Sequence, residues 1–600
     1  MPAGGDAASR PATSARLAAW TFARERPILS ARGGCPAPRR SSSPGKNALR
    51  PEVHITLPPY AGATGAERLA LRVMQLGAIA VVLAAVPFKL FELDRYFIPK
   101  ELVLHATALI AGVLLLVGAR RMALTAVDAC LAGFLVLSAV SAALATNPWM
   151  AGRALGITLS SVVLFWCARR VARVGLYGPL LNALAFAVAL GAFTCLLQTY
   201  GVQTDFFSLN RAPGGTFGNR NFVAHLCAFG LPVLVLCALR AKGAGGTLLS
   251  AVGLALVAAA LVLSRSRAAW LAIAACAIAL TPFVFLARGL FRDLRMAGRI
   301  FLLLLFVAGG VAGALLLPNS LHWKSDNPYA ESAKGLVNYK EGSGAGRLVQ
   351  YRNSANMALH HPLLGVGPGN WSVVYPRFAK ASDPSMSDEA GVTSNPWPSS
   401  DWFAYLSERG PAALLLIAGA MLFMAGGAWR WLRNAEGPEE EMAALALAAT
   451  LVAAVVVGVF DAVLLLPAPA FLVWTTLGAL SAPARAEAKP VPVFVRVLGV
   501  LLVLAMGGAL VLRSALQTVS MQIVDATGRT AEIERASAMD PGSYRIHMIL
   551  AQKYSGRGQC KRLIPHADAA RALFPEAGAP KHYRAQCGSG RATKRRRRRS

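Results

Sequence analysis

The chain has 600 residues, of which 55% are hydrophobic and only 15% charged, and its mean hydropathy is +0.48. An ordinary soluble chain carries about 25% charged residues; with nine cysteines spread over the whole length, a single soluble domain, a fully disordered chain and a small disulfide scaffold are excluded. Sixty-one Lys and Arg against 30 Asp and Glu leave a net charge of +31, which alone suggests nucleic acid but, beside the apolar composition, predicts a membrane protein with basic loops and tails and no nucleic-acid partner.

Residues 1–68 hold ten basic and four acidic residues, lack a helical apolar period and contain no run long enough for a signal-peptide core. They are expected to form a disordered basic tail, either cytoplasmic or the product of a start codon placed too early. Apolar stretches near the ~20 residues a bilayer demands then fall at 71–91, 102–119, 124–145, 154–168, 176–199, 222–239, 246–263, 268–287 and 300–317. Four more follow at 411–431, 442–460, 463–480 and 497–512, the second and third of these also readable as one broken helix. The expected fold is therefore all-α and polytopic, with 12–13 transmembrane helices: nine within 69–317, a large hydrophilic loop over 318–410, and the rest within 411–512.

Charge asymmetry orients the spans. With the N-terminal tail inside, sixteen basic residues fall in short inner loops, among them Arg120, Arg169, Arg240, Arg288, Arg292 and Arg485, against eight in short outer loops, among them Lys89 and Arg153. The positive-inside rule places the 318–410 loop outside, and an odd number of spans places the C-terminal region outside as well. Cys560 and Cys587 alone fall in that region, a pairing expected in an oxidising compartment.

Residues 513–587 are expected to be helical. Pro541 and Pro575 stand 34 residues apart, with Ala536/Ala570, Ala538/Ala572 and Met539/Leu573 matching at the same offset; the period resembles the tetratricopeptide repeat. Two partial copies are too few for an independent solenoid, so the region is expected to pack on the membrane domain or on a protein partner. Residues 588–600 form a basic tail.

The outer polar groups are where chemistry is expected. Arg265 and Arg267 interrupt an apolar run from 246 to 287; charges are expensive at the bilayer centre, which puts them at the outer mouth. On one continuous helix they would diverge by about 200°, so that only one faces a given site. Leu348, Tyr351, Ala355 and Leu359 recur at helical spacing, predicting an amphipathic helix with Arg347 on the Tyr351 face and Arg352 turned about 140° away. Gly365-Val-Gly-Pro-Gly369 follows a helix instead of a strand, which argues against a dinucleotide loop and for a tight turn beside a substrate. His360 and His361 are adjacent, lack a nearby Cys or carboxylate and make a poor metal pair; no metal or cofactor is expected.

Thr216-Phe-Gly-Asn-Arg-Asn221, Ser266-Arg-Ala-Ala269, Arg347 with Pro362-Leu-Leu-Gly-Val-Gly-Pro-Gly-Asn370, Asp401-Trp-Phe-Ala-Tyr-Leu-Ser-Glu-Arg-Gly410 and Pro99-Lys100-Glu101 together resemble the O-antigen ligase/polymerase superfamily of integral membrane glycosyltransferases, over about residues 70–480. The resemblance implies a bacterial inner-membrane enzyme whose site faces the periplasm. It would take a glycan from an undecaprenyl-diphosphate carrier and pass it to lipid A-core, a growing polymer or a protein hydroxyl. It suggests Arg267 and Arg347 as diphosphate ligands. Arg220, Asn219, Asn221, Arg265, Arg352, Gly367 and Asn370 are further substrate contacts, and Glu408 orients a sugar hydroxyl or an arginine. The sequence departs from the family where a histidine base is expected: Ser399 stands there. Asp401, His360 or His361 is then the candidate base; otherwise transfer relies on diphosphate departure, or activity has been lost. A lipid-linked glycan flippase and a non-catalytic export scaffold are the competing readings.

Overall fold

A computed structural model of the protein describes residues 62–88, 94–202, 204, 207–208, 211–287, 294–323, 325–336, 342–481 and 488–597. The bulk of the N-terminal tail, the end of the basic C-terminal tail, and Lys89, Arg288, Arg292 and Arg485 lie outside the described residues. The protein is 77% helix. In chain order the apolar helices are α1 (Gly65–Leu83), α2 (Ile98–Val117), α3 (Ala126–Ala143), α4 (Pro148–Val171), α5 (Tyr177–Thr199), α6 (Arg220–Arg240), α7 (Ala244–Ser264), α8 (Arg267–Leu286) and α9 (Leu294–Leu316). The loop contributes α10 (Pro328–Lys334), α11 (Gly342–His360) and α12 (Trp371–Val374); then come α13 (Asp401–Arg433), α14 (Pro438–Phe460), α15 (Pro467–Leu480) and α16 (Val493–Ala526). Four short helices close the chain: α17 (Thr530–Met539), α18 (Tyr544–Gly556), α19 (Cys560–Leu573) and α20 (Gly578–Arg597).

Each of the thirteen apolar stretches contains one helix. Among the described residues, ten elements are long and apolar enough to cross a membrane. One of these, Pro148–Thr199, comprises α4 and α5, joined through a turn where Gly175 has φ 83°. The two stretches at 442–480 are separate helices with residues 461–466 between them. Helix α6 is the central one, 89% buried in protein, whereas α8 and α9 are 17% buried and lie at the periphery. Helix α1 starts at Gly65 with a capping box in which Thr64 and Glu67 satisfy each other's backbone N–H groups, so this helix begins before residue 68, the expected end of the tail. Lys100, one of the eight basic residues assigned to outer loops, is instead buried in the first turn of α2, where Nζ donates to the Thr216 carbonyl at 2.8 Å.

Helix α13 begins ten residues before its apolar stretch because its first turns pack inside the protein and are set off by a kink at Gly410 (φ 82°, ψ 168°). The Gly365–Gly369 segment lies against that kink. The Val366 and Gly367 N–H groups donate to the Ser407 and Glu408 carbonyls at 3.0 and 2.9 Å, supplying donors that the broken helix lacks. A Cβ at Gly365 (φ +64°) would sit 2.3–2.6 Å from the Glu408, Ser407 and Arg409 backbone. Gly365→Ala is therefore expected to lower the thermal unfolding temperature in detergent sharply, with little folded protein recovered; a melting curve like that of the parent would show that the close packing is dispensable.

Helix α16 runs 14 residues past its apolar stretch. Its polar end packs on α17 through Ser520 Oγ, which donates to the Ala536 carbonyl at 2.9 Å. The C-terminal helices form two hairpins, and Pro541 and Pro575 each follow the first helix of a pair. The expected Cys560–Cys587 disulfide is present. This unit docks on the large loop: Asn147 Nδ2 donates to the Leu573 carbonyl at 3.0 Å, Arg377 pairs with Glu576 at 2.8 Å, and the Gly578 N–H donates to the Ala390 carbonyl at 2.8 Å. It thus lies on the same side of the helical bundle as the 318–400 loop.

Candidate functional site

A cavity of about 1220 Å³ opens where α6, α7, α8, α11 and the 383–399 segment meet. Its size suits a ligand larger than a drug-like molecule. Arg153, Arg211, Arg220, Arg265, Arg267 and Arg347 line it, and among the described residues the only carboxylate in the lining is Asp461.

The helix break between α7 and α8 explains why two arginines two residues apart share this cavity. Arg265 caps α7 in the left-handed region (φ 53°, ψ 29°), its N–H on the Val262 carbonyl, and Ser266 then starts α8. The continuous-helix expectation, that only one of the pair could face the site, is therefore incorrect: the backbone reverses its direction between them. Arg265 Nε donates to Ser332 Oγ at 2.9 Å, and its Nη2 lies 3.6 Å from Glu331. Arg267 donates to the Gly335 carbonyl at 2.6 Å and to Ser343 Oγ. The Arg265 and Arg220 guanidiniums both sit against the Trp323 indole, 4.6 and 5.7 Å from its ring centroid. A second chamber of about 380 Å³, bounded by Arg220, Arg265, Arg267 and Lys334 with Glu331 as its one carboxylate among the described residues, adjoins this wall. Like charges held together in a cleft focus a positive potential suited to a multivalent anion. Burial pushes the Arg265 pKa down, but Glu331 and Tyr329 oppose the shift.

Asn219 caps α6 by accepting the Asn221 N–H at 3.0 Å, which fixes Arg220 as the first helical residue, and all three line the cavity. Arg347 enters from α11, with Nε buried and without a hydrogen-bond partner. Facing it is Asp461, at the end of α14. The Ala462 N–H donates to Oδ1 at 2.9 Å, and Oδ2 lies 4.0 Å from His225 Nδ1, itself buried and otherwise unpartnered. Burial raises the Asp461 pKa above the ordinary carboxylate range, while Arg347, the Ala462 N–H and Arg211 offset part of the rise. Ser399, standing at the expected histidine position, lines the cavity too.

The remaining sequence candidates lie elsewhere. Asp401 is fully buried, its carboxylate accepting the Val463 and Leu464 N–H groups at 3.0–3.1 Å, so it caps the turn leading to α15. Glu408 is buried and accepts the Gly369 and Trp371 N–H groups at 2.8 and 3.2 Å. Asn370 is buried against Asn147, donating to its carbonyl at 3.1 Å, and Gly367 (φ 101°) packs on Ala145; the glycine turn thus meets helix backbone, not a ligand cavity. His360 and His361 are exposed beyond the cavity rim, His360 Nδ1 bonding the Asn356 carbonyl at 2.8 Å. Arg352 is exposed on the other side of α11. That helix forms as expected, but Leu348 and Leu359 are 52% and 77% exposed. Its buried face is Gln350, Ser354 and Met357 because Ser385 and Trp371 bond Gln350 and Ser354 there, at 3.1 and 2.9 Å.

Among the described residues, no group of three or more His, Cys, Asp or Glu is placed to hold a metal ion. The sequence reading missed Asp461. A lone acidic residue between two apolar stretches was the available signal, since ionisable groups at membrane depth are costly and tend to be functional.

Fold and cavity together define a polytopic helical membrane protein with an arginine-lined cavity at one face. Residues 252–418 match the family model described as O-antigen ligase, so the chain carries an O-antigen ligase domain that points to a membrane glycan ligase or polymerase. The matched span includes Arg265, Arg267, Arg347 and Ser399, while Arg220 and Asp461 lie outside it. No curated protein matches the chain.

Proposed function

We propose that the protein transfers a glycan from an undecaprenyl-diphosphate carrier to an acceptor hydroxyl, with its site on the periplasmic face of a bacterial inner membrane. The observation that carries this reading is the convergence of Arg220, Arg265, Arg267 and Arg347 with the carboxylate of Asp461 in a cavity that the matched domain lines in part. In the reaction, the acceptor oxygen attacks the anomeric carbon and loses its proton to Asp461. The bond from that carbon to the diphosphate oxygen breaks with its electron pair on the diphosphate. Guanidinium forks bind such an oxyanion bidentately and supply the positive charge that a metal would otherwise provide. Asp461 takes the base role in place of the absent histidine, because Asp401, His360 and His361 do not reach the cavity.

Acceptor identity separates ligase from polymerase, since both use the same donor chemistry. The test is the glycan pattern of a deletion strain. Loss of all capped lipid A-core assigns a ligase, survival of a single repeat unit assigns a polymerase, and intact lipopolysaccharide with missing exopolysaccharide assigns a secreted-polymer enzyme. Proteoliposomes that move labelled lipid-linked glycan across the bilayer without making a transfer product would replace this reading with a flippase.

A further inference from the structure

The cavity lining has stretches of different chemistry. Besides the arginines it includes Pro384, Ser385, Ser394, Asn395 and Trp397, a wall whose base adjoins α11 through Gln350 and Ser385 at 3.1 Å. This wall is neutral, with hydroxyl and amide groups beside an indole held edge-on by Phe97 at 4.9 Å. Neutral amides and hydroxyls match sugar hydroxyls in donor and acceptor count, and an aromatic face covers the apolar side of a pyranose.

Residues 383–395 form a narrow hairpin closed by the Met386–Thr393 bridge and by the Ser394 N–H on the Ser385 carbonyl at 2.8 Å. The cavity meets the base of this hairpin. Its tip is gripped from outside by the C-terminal helices. The Tyr544 hydroxyl donates to Glu389, the Gly578 N–H donates to the Ala390 carbonyl, and Gly391 (φ +76°) lies so near Glu576 that a Cβ there would be 2.0 Å from the Glu576 carbonyl oxygen. The gripping turn, residues 573–578, is itself seated. Asn147 holds the Leu573 carbonyl, Arg377 holds Glu576, and Phe574 packs into the cluster of Trp371 and Tyr375.

We infer that the C-terminal helical unit is a positioning element for the glycan-facing wall: by fixing the tip of the 383–395 hairpin it sets where Ser394 and Asn395 meet the sugar, with little effect on Arg220, Arg265 and Arg267, which α6, α7 and α8 hold in place. This rests on the glycan-transfer reading. It gives the C-terminal unit a role in substrate acceptance without any contact with substrate.

The test uses the full-length protein in proteoliposomes and two probes, the lipid-linked glycan extracted from the same cells and sugar-free undecaprenyl diphosphate as inhibitor. Gly391→Ala and Tyr544→Phe, which loosen the grip, and Asn395→Ala, which alters the wall, are each expected to raise KM for the lipid-linked glycan by about tenfold, equivalent to one or two lost sugar hydrogen bonds, with inhibition by undecaprenyl diphosphate changed less than about twofold. If both constants move together in the grip variants, or neither moves, the inference is overturned. Should Gly391→Ala fail to accumulate, Tyr544→Phe decides the matter. Parent protein that neither transfers glycan nor binds undecaprenyl diphosphate would instead overturn the transfer reading itself.

Discussion

Arg267→Ala is expected to cut glycan transfer by roughly 10²–10³-fold, the loss typical when one preorganised donor to a developing oxyanion is removed. Arg347→Ala is expected to do the same. Both guanidiniums reach the cavity from different elements, Arg267 from the first residue of α8 and Arg347 from α11. Their shared task makes the effects non-additive, so the double variant should be little worse than either single one. Arg267 also holds the Gly335 carbonyl and Ser343, so a purely structural loss must be separated from a chemical one. Arg267→Lys keeps a positive charge on a long stem but loses the planar fork; its activity should fall between parent and alanine variant at equal protein level. Arg352→Ala, on the exposed side of α11, should retain parental activity. Measurement is of labelled glycan transferred in proteoliposomes against folded protein; full transfer by both Arg267→Ala and Arg347→Ala would remove the diphosphate assignment.

Asp461→Asn is expected to lower transfer by roughly 10²–10⁴-fold, the range for loss of a general base, while binding of undecaprenyl diphosphate persists. The pH dependence gives the sharper signature. Burial raises the Asp461 pKa, with Arg347, the Ala462 N–H and Arg211 partly opposing, and the base acts only when ionised. Activity of the parent should therefore fall as pH drops through that raised value and level off above it. The asparagine variant has no such group, so its residual rate should lack this acid limb. An acid limb of the same midpoint in Asp461→Asn would assign the base to another residue.

Much of the scaffold could be read from the sequence, because apolar length is imposed by the bilayer and not by tertiary detail: every expected stretch holds a helix, and the Cys560–Cys587 pair forms. Arg220, Arg265, Arg267 and Arg347 could be singled out from the sequence and line the cavity, whereas Arg153 and Arg211 line it without having been singled out and Arg352 does not line it. What escaped were features decided by where the backbone breaks. Whether Arg265 and Arg267 converge depends on one left-handed residue. Gly365, Gly367 and Gly410 serve one another's backbone, a relation between segments 40 residues apart that spacing does not reveal. Asp401 and Glu408 carry the chemistry of a base and a sugar ligand, yet both are consumed by capping N–H groups. Asp461 belongs to none of the motifs that drew the resemblance, and only three-dimensional proximity sets it opposite Arg347.

Helix α16 has 34 residues, about 51 Å at 1.5 Å per residue, far more than the ~30 Å hydrocarbon core needs. It runs unbroken from the bundle, alongside α2, into the C-terminal unit. The helix is therefore a ruler as well as an anchor: it fixes both the height of the hairpin grip above the bilayer and its bearing around the bundle. One residue more or less in its polar half would swing everything beyond it by about 100°, so the length of that half is under as tight a constraint as the identity of any side chain in the cavity.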